Sequence, residues 1–205
     1  MIFVCMFCVM SVVAQDMKTV FVAMPDSVTP LLTKVNREDC IDFLDSNMKA
    51  VVKNRFGNMA EMKILTDDYV LMQTSEIGTL EMKLLPLSDS IKVICMVKTV
   101  NASAADSSVR FYTSDWSQQL DAKEFLQLPS MELFFLPNDS LTDEAILTRK
   151  KADMHLMNAQ LSKEDTSLTF TYTAPNYLNE EDRKKLLPHL RKEPIVLRWS
   201  EGKFR

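Results

Sequence analysis

The chain has 205 residues, 46% of them apolar and 25% charged, with a net charge of −4 and a pI near 5.3. That is the make-up of one globular domain with room for a sizeable core, without the Lys/Arg surplus that nucleic acid requires. Its three glycines, Gly57, Gly78 and Gly202, leave no glycine-rich loop to cradle a phosphate, and no G-x-G-x-x-G, Walker A or G-x-S-x-G pattern occurs.

The first fourteen residues, MIFVCMFCVMSVVA, carry no charge. They are too short to cross a bilayer, which takes about 20 residues. They match the apolar core of a signal peptide over residues 1–14, with Val12-Val13-Ala14 as the small-residue cleavage site and a mature domain from Gln15 to Arg205. No Lys or Arg precedes the apolar run, so the basic part of the signal is expected upstream of Met1. The expected location is the periplasm or the medium, with membrane contact only through the signal segment. Cys5 and Cys8 leave with the signal. Cys40 and Cys95 remain, either as one disulfide or as two buried thiols. With His155 and His189 they make no zinc spacing, and no metal or cofactor is expected.

Thr29-Pro30 reads as a helix cap and first helical residue, predicting a short helix through LLTKV. A longer helix is predicted from an Asn36 cap to about Phe56, stopped by Gly57. On a helical wheel Cys40, Ile41, Leu44, Met48, Val51 and Val52 fall on one face. Glu38, Asp42, Asp45, Lys49 and Lys53 fall on the other, so the acidic run beside Cys40 reads as a solvated face and not as a cation site.

From residue 61 the period changes to two: MKIL, YVLMQTS, TLEMKLL, IKVICMVKTV and VRFYT, joined by turn-rich segments, read as an antiparallel meander. Asp67-Asp68 falls in one of the turns, where Asp bonds local backbone amides. DAKEF predicts one helical turn capped by Asp121. MELFFL, between Pro129 and Pro137, predicts a strand, and a short helix is placed after Thr142. DMHLMNAQL and SLTFTYT predict two more strands, the second with Leu168, Phe170 and Tyr172 inward. NEEDRKKLL predicts a helix capped by Asn179, and PIVLRWS the last strand. The expected fold is α+β: an antiparallel meandering sheet of seven to nine strands, at the extreme curved into a half-barrel, packed against an N-terminal helix. The helical lead-in would span 28–56 and the sheet 61–205.

The segment MPDSVTPLLTKVNREDCIDFLDSNMKAVV, the following LTDD and the late EPIVLRW resemble a family of secreted proteins of unknown function from Gram-negative gut bacteria. The resemblance implies export and supplies no catalytic residue. Some bacteria of that kind attach O-glycans at Asp-Ser-aliphatic triplets, of which this chain has three, beginning at Asp26, Asp89 and Asp139.

No constellation of catalytic residues emerges, so the first expectation is a non-enzymatic, exported protein that serves as a binding or assembly accessory of the cell envelope, its partner a protein or an apolar ligand of the envelope. Such a protein would carry a groove or apolar patch without convergent titratable groups. A second reading is a carrier of an apolar ligand in a methionine-lined cavity, with Met72, Met82, Met96, Met154, Phe170 and Tyr172 as candidate lining residues. A third is a hydrolase of unrecognised type, which would need at least two of His155, His189, Asp67, Asp68 and Glu132 in one pocket.

Overall fold

A computed structural model describes residues 16–137 and 142–205. The predicted signal segment, with Cys5 and Cys8, and the triplet Asp139-Ser140-Leu141 lie outside the described residues. The fold is α+β, and every pairing between its named strands is antiparallel. Eleven strands are present among the described residues, divided between two sheets, where the sequence pointed to one sheet of seven to nine.

Helix α1 (Met17–Ala23) opens on Asp16, whose carboxylate accepts the Thr19 amide at 2.8 Å. Residues 29–32 form a turn rather than the predicted short helix, with the Leu32 amide bonded to the Thr29 carbonyl at 3.0 Å. Helix α2 (Lys34–Asp45) starts earlier than predicted. Thr33 is its cap, and a capping box joins it to Asn36, whose side chain accepts the Thr33 amide while the Thr33 hydroxyl accepts the Asn36 amide. The helix also stops earlier, at Asp45. Asn47 takes a left-handed φ of 55°, and the Asn47 and Met48 amides turn back to the carbonyls of Leu44 and Phe43 at 2.9 and 2.8 Å. This is a Schellman termination, with Asn in the place most often held by Gly. Strand β1 (Val51–Lys53) follows, and Gly57 (φ 82°) serves the β1–β2 turn instead of ending a helix. Met48 is therefore exposed, and Lys49 pairs with Glu61 at 3.3 Å. Within α2 the wheel holds: Cys40 and Ile41 are buried, Asp42 and Asp45 exposed.

The large sheet is an unbroken meander in chain order: β1, β2 (Met59–Leu65), β3 (Tyr69–Gln73), β4 (Gly78–Pro86), β5 (Lys92–Asn101), β6 (Ala105–Thr113) and β7 (Gln119–Leu120). The small sheet has the order β11 (Lys203–Phe204), β10 (Ile195–Ser200), β9 (Ser167–Tyr172), β8 (Met157–Leu161). Helix α3 (Asp143–Lys151) precedes it and α4 (Glu180–Leu186) lies between β9 and β10. Asn179 caps α4 as predicted, accepting the Asp182 amide at 2.9 Å. MELFFL is not a strand. Residues 131–134 form a 3-10 turn, and Phe135 makes only an isolated bridge to Leu190; the flanking Pro129 and Pro137 have no N–H to give a ladder.

Both faces of the large sheet are covered, so its central strands lack a wet side. Val70, Met72, Leu80, Met82, Leu84, Ile94 and Met96 pack under α1 and α2, while Leu85, Val93, Cys95, Val97 and Phe111 pack under the small sheet. Each such side chain removed from water contributes about 1.5–3 kcal/mol. The helices are pinned by hydrogen bonds as well as by packing: the Trp116 indole donates to the Val20 carbonyl, and the Met17 amide donates to the Asp67 carbonyl, both at 2.8 Å. The small sheet is anchored by Phe111, Phe125, Trp199 and Phe204, with neighbouring ring centroids 5.0–6.3 Å apart, and by the Trp199 indole on the Pro86 carbonyl at 2.7 Å.

Candidate binding site: the open edge of β6

Strand β6 pairs with β5 along its whole length, but β7 covers only Phe111 and Tyr112 on its other side. The Thr113 amide bonds to the Gln118 carbonyl across the β6–β7 hairpin. In an antiparallel ladder N–H and C=O groups alternate sides, so Phe111, Val109, Ser107 and Ala105 direct theirs to this outer edge. The Ala105 carbonyl is taken by the Thr173 hydroxyl at 2.6 Å. Among the described residues no strand pairs with Ser107 and Val109 there. After β7, Asp121 caps a 3-10 turn at 122–124 by accepting the Lys123 amide at 3.0 Å, as the sequence predicted. The chain then runs beside the open edge and leaves a trough of about 780 Å³ between the two. It is lined by Ser107, Val109, Ala122, Leu126 and Leu128, with Asp121 and Lys123 at its lip. Leu126 is fixed by a parallel bridge to Phe204, whereas Leu128 is 56% exposed. Sequence reasoning missed this site. The available signal was the shortness of the pairing segment after VRFYT, where DAKEF turns helical too soon to cover the strand before it.

The candidate ligand-lining residues do not converge. Met72, Met82 and Met96 are fully buried beneath the helices, Phe170 lies on the opposite side of the large sheet, Tyr172 is half-buried against Phe134 and Phe135, and Met154 is exposed. Of the hydrolase candidates only Glu132 and His155 come near each other, on the exposed surface. Asp67 and Asp68 sit in the β2–β3 turn, and His189 follows α4. Glu132 and His155 are both exposed, and Glu132 is held below the usual carboxylate range by backbone amide and Ser130 contacts, with smaller help from Arg149 and His155. Cys40 and Cys95 are both buried and free. They lie on opposite sides of the large sheet, and burial pushes both thiols up, Cys40 to about 11.

Asp26 and Arg37, from the MPDS and NRED portions of the resemblance, meet. Arg37 is 1% exposed and donates to the Leu32 carbonyl at 2.6 Å, to the Met24 carbonyl and to the Asp26 carboxylate at 3.1 Å. It staples the loop between α1 and α2, which makes these residues structural.

A second polar feature lies between the sheets. The outer edge of β8 faces the large sheet, and its three outward amides are each taken by a side chain from there: Met157 by Asp106 at 3.4 Å, Ala159 by Ser107 at 2.9 Å and Leu161 by Glu81 at 2.9 Å.

Fold and edge together define a three-layer α+β protein: helices, a seven-stranded meander and a four-stranded sheet, with one strand edge left open beside an apolar trough. The chain belongs to the family described as "Protein of unknown function (DUF3256)", whose model matches residues 9–204. It is also similar to a solved domain of an uncharacterized protein from Porphyromonas gingivalis W83, at 32% identity and a TM-score of 0.80, covering 91% of this chain and 96% of that one. No curated protein matches.

Proposed function

We propose that this chain is an exported, non-enzymatic binding protein of the cell envelope, and that it takes an extended polypeptide segment onto the open edge of β6. The observation that carries the reading is the pair of unmatched residues, Ser107 and Val109, beside the trough floored by Leu126 and Leu128. An edge strand offers main-chain hydrogen bonds, and the adjoining trough receives alternate side chains. The occupant is an extended peptide because the same edge is already filled that way one step further along, by Gln119–Leu120. The apolar start of the sequence supports export.

The test is selection from a library of extended peptides, followed by amide exchange. A bound peptide is expected to protect the Ser107 and Val109 amides. Val109→Pro deletes one edge N–H at a position where proline is tolerated and is expected to weaken binding at least tenfold, with a small fall in Tm because Val109 also packs on the core between the sheets. Peptides that bind without protecting these amides, or that bind Val109→Pro as well as the natural chain, would overturn the proposal.

A further inference from the structure

Glu81 sits in mid-β4 on the face beneath the small sheet, 6% exposed, among the apolar side chains of that core. One carboxylate oxygen accepts both the Tyr69 hydroxyl, at 3.1 Å, and the Leu161 amide. Among the described residues no cation pairs with it. Lys83, two residues on and also buried, turns its ammonium away to the Asp68 carboxylate at 2.9 Å and to the Lys163 carbonyl at 3.2 Å. An unpaired buried carboxylate is costly, and a glutamine could accept the same two hydrogen bonds. What a carboxylate adds is titration.

We propose that Glu81 is a proton-operated clasp between the sheets: protonated, it keeps the edge of β8 seated on the large sheet, and ionised, it lets that junction open. The groups that face it are Tyr69 from β3, Cys95 from β5, Lys83 from its own strand, and the Asp68 and Lys163 turns at the junction's rim. The Tyr69 phenol and Cys95 thiol are both pushed up by burial, with Glu81's own charge adding to the effect, so neither gains charge near neutrality. Burial likewise pushes the Glu81 carboxyl up to about 7, against smaller opposing effects from its two hydrogen-bond donors. Any opening that wets the carboxylate releases that difference. The opening equilibrium of β8 should therefore rise by up to roughly 300-fold as pH climbs from below the ordinary carboxylate range to above neutrality.

Amide hydrogen exchange between pH 5 and 8.5, corrected for intrinsic rates, tests this. At high pH the Leu161 and Ala159 amides should exchange faster than those at the centre of β5 and with little dependence on added denaturant, the mark of a local opening. That opening should follow pH in the natural chain and be flat in Glu81→Gln. The inference is overturned if β8 exchanges only together with β5, or if Glu81→Gln leaves the pH profile unchanged. A carbon-13 titration of the Glu81 carboxyl stands independent of any variant: a midpoint near 7 supports the clasp, and one in the ordinary carboxylate range overturns it.

Discussion

Replacing Arg37 by methionine tests whether the buried guanidinium acts as a staple. The side chain is 1% exposed and binds the Leu32 and Met24 carbonyls and the Asp26 carboxylate, which is itself 43% exposed. Methionine matches the stem but donates nothing, so two buried carbonyls lose their partner at about 1–3 kcal/mol each. The cost of desolvating the cation is recovered in part; burial pulls the guanidinium pKa down, and Asp26 only partly restores it. The Asp26 charge left behind is half in water and adds little. The net loss expected is about 3–4 kcal/mol, equivalent to about 10 °C in Tm for a domain of this size. Asp26→Asn should cost about 1 kcal/mol or less, because its carboxylate is screened. Urea unfolding followed by tryptophan fluorescence measures both. A loss below 1 kcal/mol for Arg37→Met, or equal losses for the two variants, would refute the view that the carbonyls rather than the ion pair make this contact matter.

Glu81 gives a stability–pH prediction with a definite sign. Its folded pKa, about 7, lies above the ordinary carboxylate value, so its contribution is fully present below pH 4.5 and is lost as pH rises through 7. This group alone should lower unfolding free energy by about 3 kcal/mol between those limits; Glu81→Gln should remove that slope in urea melts at pH 5 and 8, and an identical slope in the variant counts against it. Ser107→Ala removes the hydroxyl that accepts the Ala159 amide and bonds Thr99 at 2.7 Å, with an expected cost of about 1–2 kcal/mol in the same assay. Both cysteines should resist thiol reagents at pH 8 in the native state and react at once in denaturant, since each is buried with a raised thiol pKa; fast native labelling of either would show that its layer opens.

The strands were legible because TLEMKLL and SLTFTYT alternate, IKVICMVKTV is a long apolar run rich in β-branched residues, and turns separate them. Burial on both faces was legible only in part: Ile94 and Met96 opposite Val93 and Cys95 signal it, but Glu81 and Lys83 on one face of β4 read as a wet side. They are buried instead, each with partners some 80 residues away in sequence, at Leu161 and Lys163. No local pattern carries such a pairing. The end of α2 was hidden for a different reason. Met48, Val51 and Val52 continue a helical spacing by coincidence, while the termination depends on Asn47 adopting a left-handed conformation, which competes with helix by a margin too small to show in periodicity. The open edge of β6 left only the short segment between VRFYT and DAKEF as a signal, since it is defined by where β7 stops covering β6.

Ser107 ties the two proposals together physically. Its backbone belongs to the open edge of β6, while its hydroxyl holds the Ala159 amide of β8. A strand added at β6 fixes the Ser107 backbone and with it the angle at which the hydroxyl meets β8. A peptide that prefers the seated arrangement must lower the opening equilibrium of β8 by the same factor by which opening weakens its own binding, because coupling between two sites is reciprocal. Ala159 and Leu161 amide exchange at pH 8 that is the same with and without bound peptide would mean that the hydroxyl swings freely and that edge and clasp act separately.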